Sequence, residues 1–174
     1  AWISFVNGDG ANDGSVAVIP FTSHGNDHAK RKGGRSQAMI KGHAAGSVKD
    51  ISFNPFNKNQ LLTCSTDASM RLWNIPAEGI VEDYTVAAST FVSKEKDPLR
   101  GVCPHHTIAG LVATRSSRRL HLWDLTSSTK GELVHSANIY NADLQSMCWM
   151  YGGKAIATTG KDKTLRLLDM RLST

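Results

Sequence analysis

No apolar run in the 174 residues approaches the roughly 18 needed to span a bilayer, so no helical membrane segment is expected. The chain opens without an initiator methionine, a charged-then-apolar leader or a cleavage site. Ala1, Trp2, Ile3, Ser4 and Phe5 instead enter directly into what reads as a strand, which suggests a piece of a longer polypeptide. Cysteine is sparse. Cys64, Cys103 and Cys148 are odd in number, widely separated and each beside apolar residues. Such a set makes no disulfide framework and reads as three buried free thiols in a reducing cytosol. Cys103, His105 and His106 gather potential metal donors, but no fourth ligand stands at a spacing that would close a zinc site. The phosphate-cradling, dinucleotide and paired-histidine zinc motifs are all missing. No metal, cofactor or catalytic residue is therefore expected.

What is present suits a globular fold. The chain is 40% hydrophobic and 20% charged, enough apolar material for a core. Twenty basic residues against 15 acidic ones give a formal charge of +5, which favours an acidic partner through long-range attraction. On charge alone a nucleic acid, an anionic membrane or an acidic protein polymer would qualify.

The pattern along the chain is one of short strands and tight turns. Residues 2–7 and 15–21 flank a tip dense in Gly, Asn and Asp, and read as a leading hairpin over 2–21. A polar loop follows at 22–37 and carries Lys30, Arg31, Lys32 and Arg35. It reads as a solvated loop or a contact patch for an acidic partner. No aromatic residue interleaves these cations, so it offers no stacking platform for single-stranded nucleic acid. Residues 42–75, GHAAGSVKDISFNPFNKNQLLTCSTDASMRLWNI, open on Gly-His, close on Leu-Trp-Asn and hold three strand-like runs. Pro55 stops the first, because proline cannot donate to a ladder.

The closing strand recurs. RLWNI is followed by LHLWDL and LRLLDM, which makes Trp73, Trp123 and Leu168 equivalent, 50 and 45 residues apart. A blade of a WD-repeat propeller takes roughly 40–45 residues. Asp67, Ser117 and Asp162 each stand six residues before these positions. The expected fold is all-β: a partial WD-repeat β-propeller with a leading hairpin and three repeats, near 42–80, 99–131 and 136–172.

Local chemistry explains these residue types. An Asp in the turn can accept from the backbone and from the Gly-His imidazole. The imidazole reaches a strand hydroxyl, and that hydroxyl reaches the indole N–H. His43, Ser65 (or Thr63), Asp67 and Trp73 supply the complete set, with Asp162 holding the turn position of the third repeat. A buried network of this kind fixes one geometry only if every member is satisfied. Ser, His and Asp also compose a nucleophile relay, but no nucleophile elbow surrounds Ser65, and the structural network accounts for all three.

The sequence resembles coronins, WD-repeat proteins of the actin cytoskeleton. Ser15 to Phe21 resembles the apolar, proline-ended strand before their first full repeat. Trp73, Pro76 and Gly79 resemble the junction after it. Leu168, Asp169 and Arg171 resemble their strand in which an aliphatic replaces Trp and Asp-x-Arg follows. The middle repeat matches least, having neither Gly-His nor His-Pro. The resemblance implies a seven-bladed propeller in the cytoplasm that binds actin filaments and other cytoskeletal proteins. The basic loop suits a divergent or tandem-propeller member. A generic WD-repeat scaffold for protein complexes or membrane traffic is the alternative. Blade topology puts Arg118, Arg119, Lys161 and Lys163 on one face and the 30–35 cations on the other. A hairpin and three repeats leave blade edges open, so further blades of the native chain, or edge pairing between copies, are expected to cover them.

Overall fold

The computed structural model describes residues 2–6, 14–20, 38–43, 45–126, 132–138 and 141–169. The described residues form strands, turns and loops in four antiparallel sheets. The first sheet holds β1 (Trp2–Val6), β2 (Ser15–Pro20) and β3 (Ile40–Lys41). The second holds β4 (Val48–Asn54), β5 (Asn57–Ser65), β6 (Ser69–Asn74) and β7 (Ser89–Val92). The third holds β8 (Gly101–Pro104), β9 (Leu111–Arg115), β10 (Arg119–Asp124) and β11 (Glu132–Asn138). The fourth holds β12 (Leu144–Trp149), β13 (Ala155–Gly160) and β14 (Leu165–Asp169). Each sheet is a meander, and β1, β4, β8 and β12 follow one another in contact along one side. This is the arrangement of successive propeller blades, all-β and partial.

Packing runs from sheet to sheet. Opposed residues in an antiparallel pair share a face, and neighbours along a strand alternate. Leu61 opposes Trp73, while Leu62 opposes Leu72. The first pair packs back onto Val16, Val18 and Ile40 of the first sheet. Leu62, Cys64 and Met70 pack forward onto Val102, Val112 and Trp123 of the third. Ala113, Leu120 and Leu122 then meet Trp149 and Ile156 of the fourth. A strand covered on both faces reads as a continuous apolar run, which is why QLLTCS shows no alternation. Fully burying one such side chain contributes about 2 kcal/mol.

The thiols differ in depth, contrary to the expectation of three buried ones. Cys64 is buried and Cys103 half-buried, and burial pushes both pKa values up. Cys148 is exposed. It opposes Ala157, which opposes Leu167, and this is the outward face of the fourth sheet. Leu165 and Leu167 occupy the register places that Met70 and Leu72 hold in the second sheet and Leu120 and Leu122 in the third. Met70 and Leu120 are covered by the sheet that follows, whereas Leu165 and Leu167 are 65% and 59% exposed.

One connection ties two sheets together. After β6 the chain returns to the outer edge of the first sheet, where Tyr84 bridges Ile40 in parallel. Lys41 N–H donates to the Tyr84 carbonyl at 2.9 Å and Tyr84 N–H to that of Met39 at 2.8 Å. Asp83 accepts from Met39 N–H at 3.0 Å and from Lys41 Nζ at 2.7 Å. The edge of the first sheet is thereby covered.

Candidate functional site

The Gly-His pair, the β5–β6 turn and Trp73 meet in one buried network. Gly42 sits where an added Cβ would overlap the Trp73 ring, so the residue before His43 must be small. His43 Nδ1 lies 2.9 Å from Asp67 Oδ2, and its Nε2 lies 2.7 Å from Thr63 Oγ1. Trp73 Nε1 donates to the same Thr63 oxygen at 3.0 Å. A proton on Nδ1 satisfies every member: indole to hydroxyl, hydroxyl to Nε2, and Nδ1 to carboxylate. Of the two hydroxyls that the sequence offered, Thr63 rather than Ser65 stands between His43 and Trp73. The register explains it, because Thr63 opposes Arg71, two residues from Trp73 on the same face. Ser65 instead accepts the Asp67 N–H through Oγ at 3.2 Å.

Asp67 is the electrostatic anchor. Burial works to raise its pKa, but hydrogen bonds from His43 and Ser69 outweigh this and hold the carboxyl far below the usual range. The Ser69 N–H donates to Asp67 Oδ1 at 3.0 Å, and its hydroxyl at 2.7 Å. The turn is tight enough to place Ala68 at φ 64°. Asp162 repeats the arrangement, accepting from the Thr164 N–H at 3.1 Å and hydroxyl at 2.8 Å, with Lys163 at φ 62°.

The relay thins out along the chain. In the third sheet Trp123 Nε1 donates to Thr114 Oγ1 at 2.8 Å, in the register place of Thr63. Ser117 holds the place of the turn Asp, and the Ser116 hydroxyl accepts from the Arg119 N–H at 3.3 Å. In the fourth sheet Thr158 occupies the hydroxyl's place, but Leu168 offers no indole. His105 is spent on structure: Nε2 lies 2.8 Å from the Gly153 carbonyl, and Nδ1 accepts from the Thr107 and Ile108 N–H groups at 3.1 and 2.9 Å. Among the described residues no group of three or more His, Cys, Asp or Glu side chains could hold a metal ion.

Lys30, Arg31, Lys32 and Arg35 lie outside the described residues. Arg118, Arg119, Lys161 and Lys163 sit at the β9–β10 and β13–β14 turns. Arg119 is engaged by Glu95 at 3.3 Å and Asp97 at 3.4 Å. Lys161 reaches Asp143 at 3.2 Å and borders a cleft of about 730 Å³. Lys49, Arg100 and Arg115 line the same cleft, beside Thr66, Pro98, Leu144 and Gln145. Sequence reasoning missed these three. They stand at the entrance to β4, before β8 and at the end of β9, and only the blade-to-blade stacking brings them together.

The geometry has counterparts among known proteins. Residues 34–74 match the family model described as WD domain, G-beta repeat. Villidin of Dictyostelium discoideum is 30% identical over 136 residues, 76% of this chain and 8% of its own. Coronin-2A of Bos taurus is 27% identical over 165 residues, 92% of this chain and 30% of its own. The crystal structure of the WD40 domain of Toxoplasma gondii coronin superposes with a TM-score of 0.79 at 24% identity. That match covers 95% of this chain and 40% of that one, and it speaks to the fold. The chain thus spans less than a third of the length of the curated relatives it matches.

Proposed function

We propose, from the chain's membership of the coronin family of WD-repeat proteins, that it is a non-catalytic module that binds actin filaments and helps organise them in the cytoplasm. The observation that carries this reading is likeness to coronin-2A over 92% of the chain. The excess of basic residues suits an acidic filament. A non-catalytic role is supported by where the Ser-His-Asp set of Ser65, His43 and Asp67 points. His43 and Ser65 are buried, the Ser65 hydroxyl accepts from the Asp67 N–H rather than meeting His43, and His43 Nε2 is taken up by Thr63. In that relay no nucleophile faces a cleft.

Further blades are expected to complete the ring, because the WD40 domain matched in structure is longer than this chain, which covers 40% of it. Co-sedimentation of the whole protein with purified actin filaments tests the reading. Saturable appearance in the pellet is expected. A protein that stays in the supernatant at filament concentrations of about 10 µM contradicts it, and leaves a WD-repeat scaffold for other protein complexes as the surviving account.

A further inference from the structure

We infer that the cleft lined by Lys49, Arg100, Arg115 and Lys161 is a docking site for an acidic peptide segment, holding its Asp and Glu carboxylates. Three consecutive sheets build it. Lys49 enters β4, Arg100 precedes β8, Arg115 ends β9, and Lys161 follows β13. Four cations face one lining carboxylate, that of Asp143. Asp143 reaches Lys161 at 3.2 Å and Arg100 at 4.0 Å, so it is shared between two of them. Lys49 forms no salt bridge among the described residues.

Arg115 is the distinctive member. It is half-buried, and its one side-chain hydrogen bond among the described residues runs from Nη1 to the Leu144 carbonyl at 2.9 Å. A guanidinium carries five N–H donors in a fork that matches a carboxylate. Asp50 lies near enough for its charge to act on Arg115, but no hydrogen bond or salt bridge joins the two among the described residues, and Asp50 accepts instead from the Ile51 and Val102 N–H groups. Burial draws the Arg115 pKa down, the mark of a cation with less solvation than it would have in water. An incoming carboxylate would restore what burial removed.

The lining selects the kind of anion. A volume of about 730 Å³ is large for one phosphate group and falls in the range of roughly 300–1,000 Å³ typical of ligand clefts. Exposed Pro98 supplies apolar wall for side-chain methylenes, and Asp143 disfavours a compact polyanion. Spaced single charges on a peptide satisfy both. The inference is independent of filament binding, since any protein presenting such a segment would fit.

Fluorescence anisotropy with a labelled glutamate-rich dodecapeptide tests it on the whole protein, with the Gln analogue and inorganic tripolyphosphate as comparison ligands. The glutamate peptide is expected to bind, and the Gln analogue not. Raising salt from about 50 to about 200 mM is expected to weaken binding several-fold. Lys49→Glu with Lys161→Glu reverses two exposed charges and is expected to weaken it about tenfold or more, while Lys58→Glu, outside the cleft, leaves it unchanged. Equal binding of the Gln analogue, equal binding by the cleft variant, an equal loss in Lys58→Glu, or tripolyphosphate binding without peptide binding each overturns the proposal. Because the wild-type comparison of two peptides needs no variant, misfolding of a variant does not shield it.

Discussion

One hydroxyl, that of Thr63, serves two buried nitrogens. It accepts from Trp73 and stands 2.7 Å from His43. Thr63→Val leaves both without a partner, and each orphaned group costs about 1–3 kcal/mol. Thr114→Val orphans the Trp123 indole. Urea unfolding of the two variants is expected to show the Thr63 change costing about 1–2 kcal/mol more than the Thr114 change; equal losses would mean that His43 finds its stability elsewhere. Two other side chains contribute to the response to pH. Burial lowers the His121 pKa, and its Nε2 has no partner among the described residues. A depressed folded value means stability that is whole above the unfolded value of about 6.5 and lost as pH falls. Asp67 has the same sign in a lower window, with stability present above about pH 4 and lost below it. Urea midpoints measured from about pH 7 to about pH 3 should therefore fall in two stages. His121→Phe is expected to flatten the upper stage and Asp67→Asn the lower. A wild-type midpoint constant between pH 7 and 5 would contradict the assignment to His121.

Among the elements, the outer edge of the first sheet depends on a dipeptide far along the chain. Asp83 and Tyr84 pair with Met39, Ile40 and Lys41, more than 40 residues earlier. Asp83→Ala removes two of these contacts. Amide exchange at Lys41 and Tyr84 should then quicken, while β5 and β6 keep their rates. Unchanged exchange at Lys41 would show that the backbone pairs hold the edge alone. This contrast also explains what the sequence reveals. The blade period was legible because strand and turn residues lie within one repeat, so the places of Asp67 and Trp73 return at fixed offsets as Ser117 and Trp123 and as Asp162 and Leu168. The choice of Thr63 over Ser65 was not, because it depends on which hydroxyl the register turns toward the indole. The edge-covering role of residues 83–84 and the convergence of Lys49, Arg100, Arg115 and Lys161 were also hidden, because both arise between sheets. Cys148 was misjudged for a related reason. Apolar neighbours in sequence predict burial only where another sheet packs on that face.

At the scale of the whole molecule, each sheet covers one face of the sheet before it. Leu165, Leu167 and Cys148 form the face of the fourth sheet that nothing among the described residues covers. In the two sheets before it the same register places, held by Met70 and Leu120, are covered by the next sheet, so we propose that a following blade or a second copy covers this face. The most direct test of the central claim is a co-sedimentation isotherm of the whole protein with actin filaments at about 50 and about 200 mM salt. The account predicts saturable binding that weakens several-fold at the higher salt. Absence of the protein from the pellet at both concentrations would contradict it.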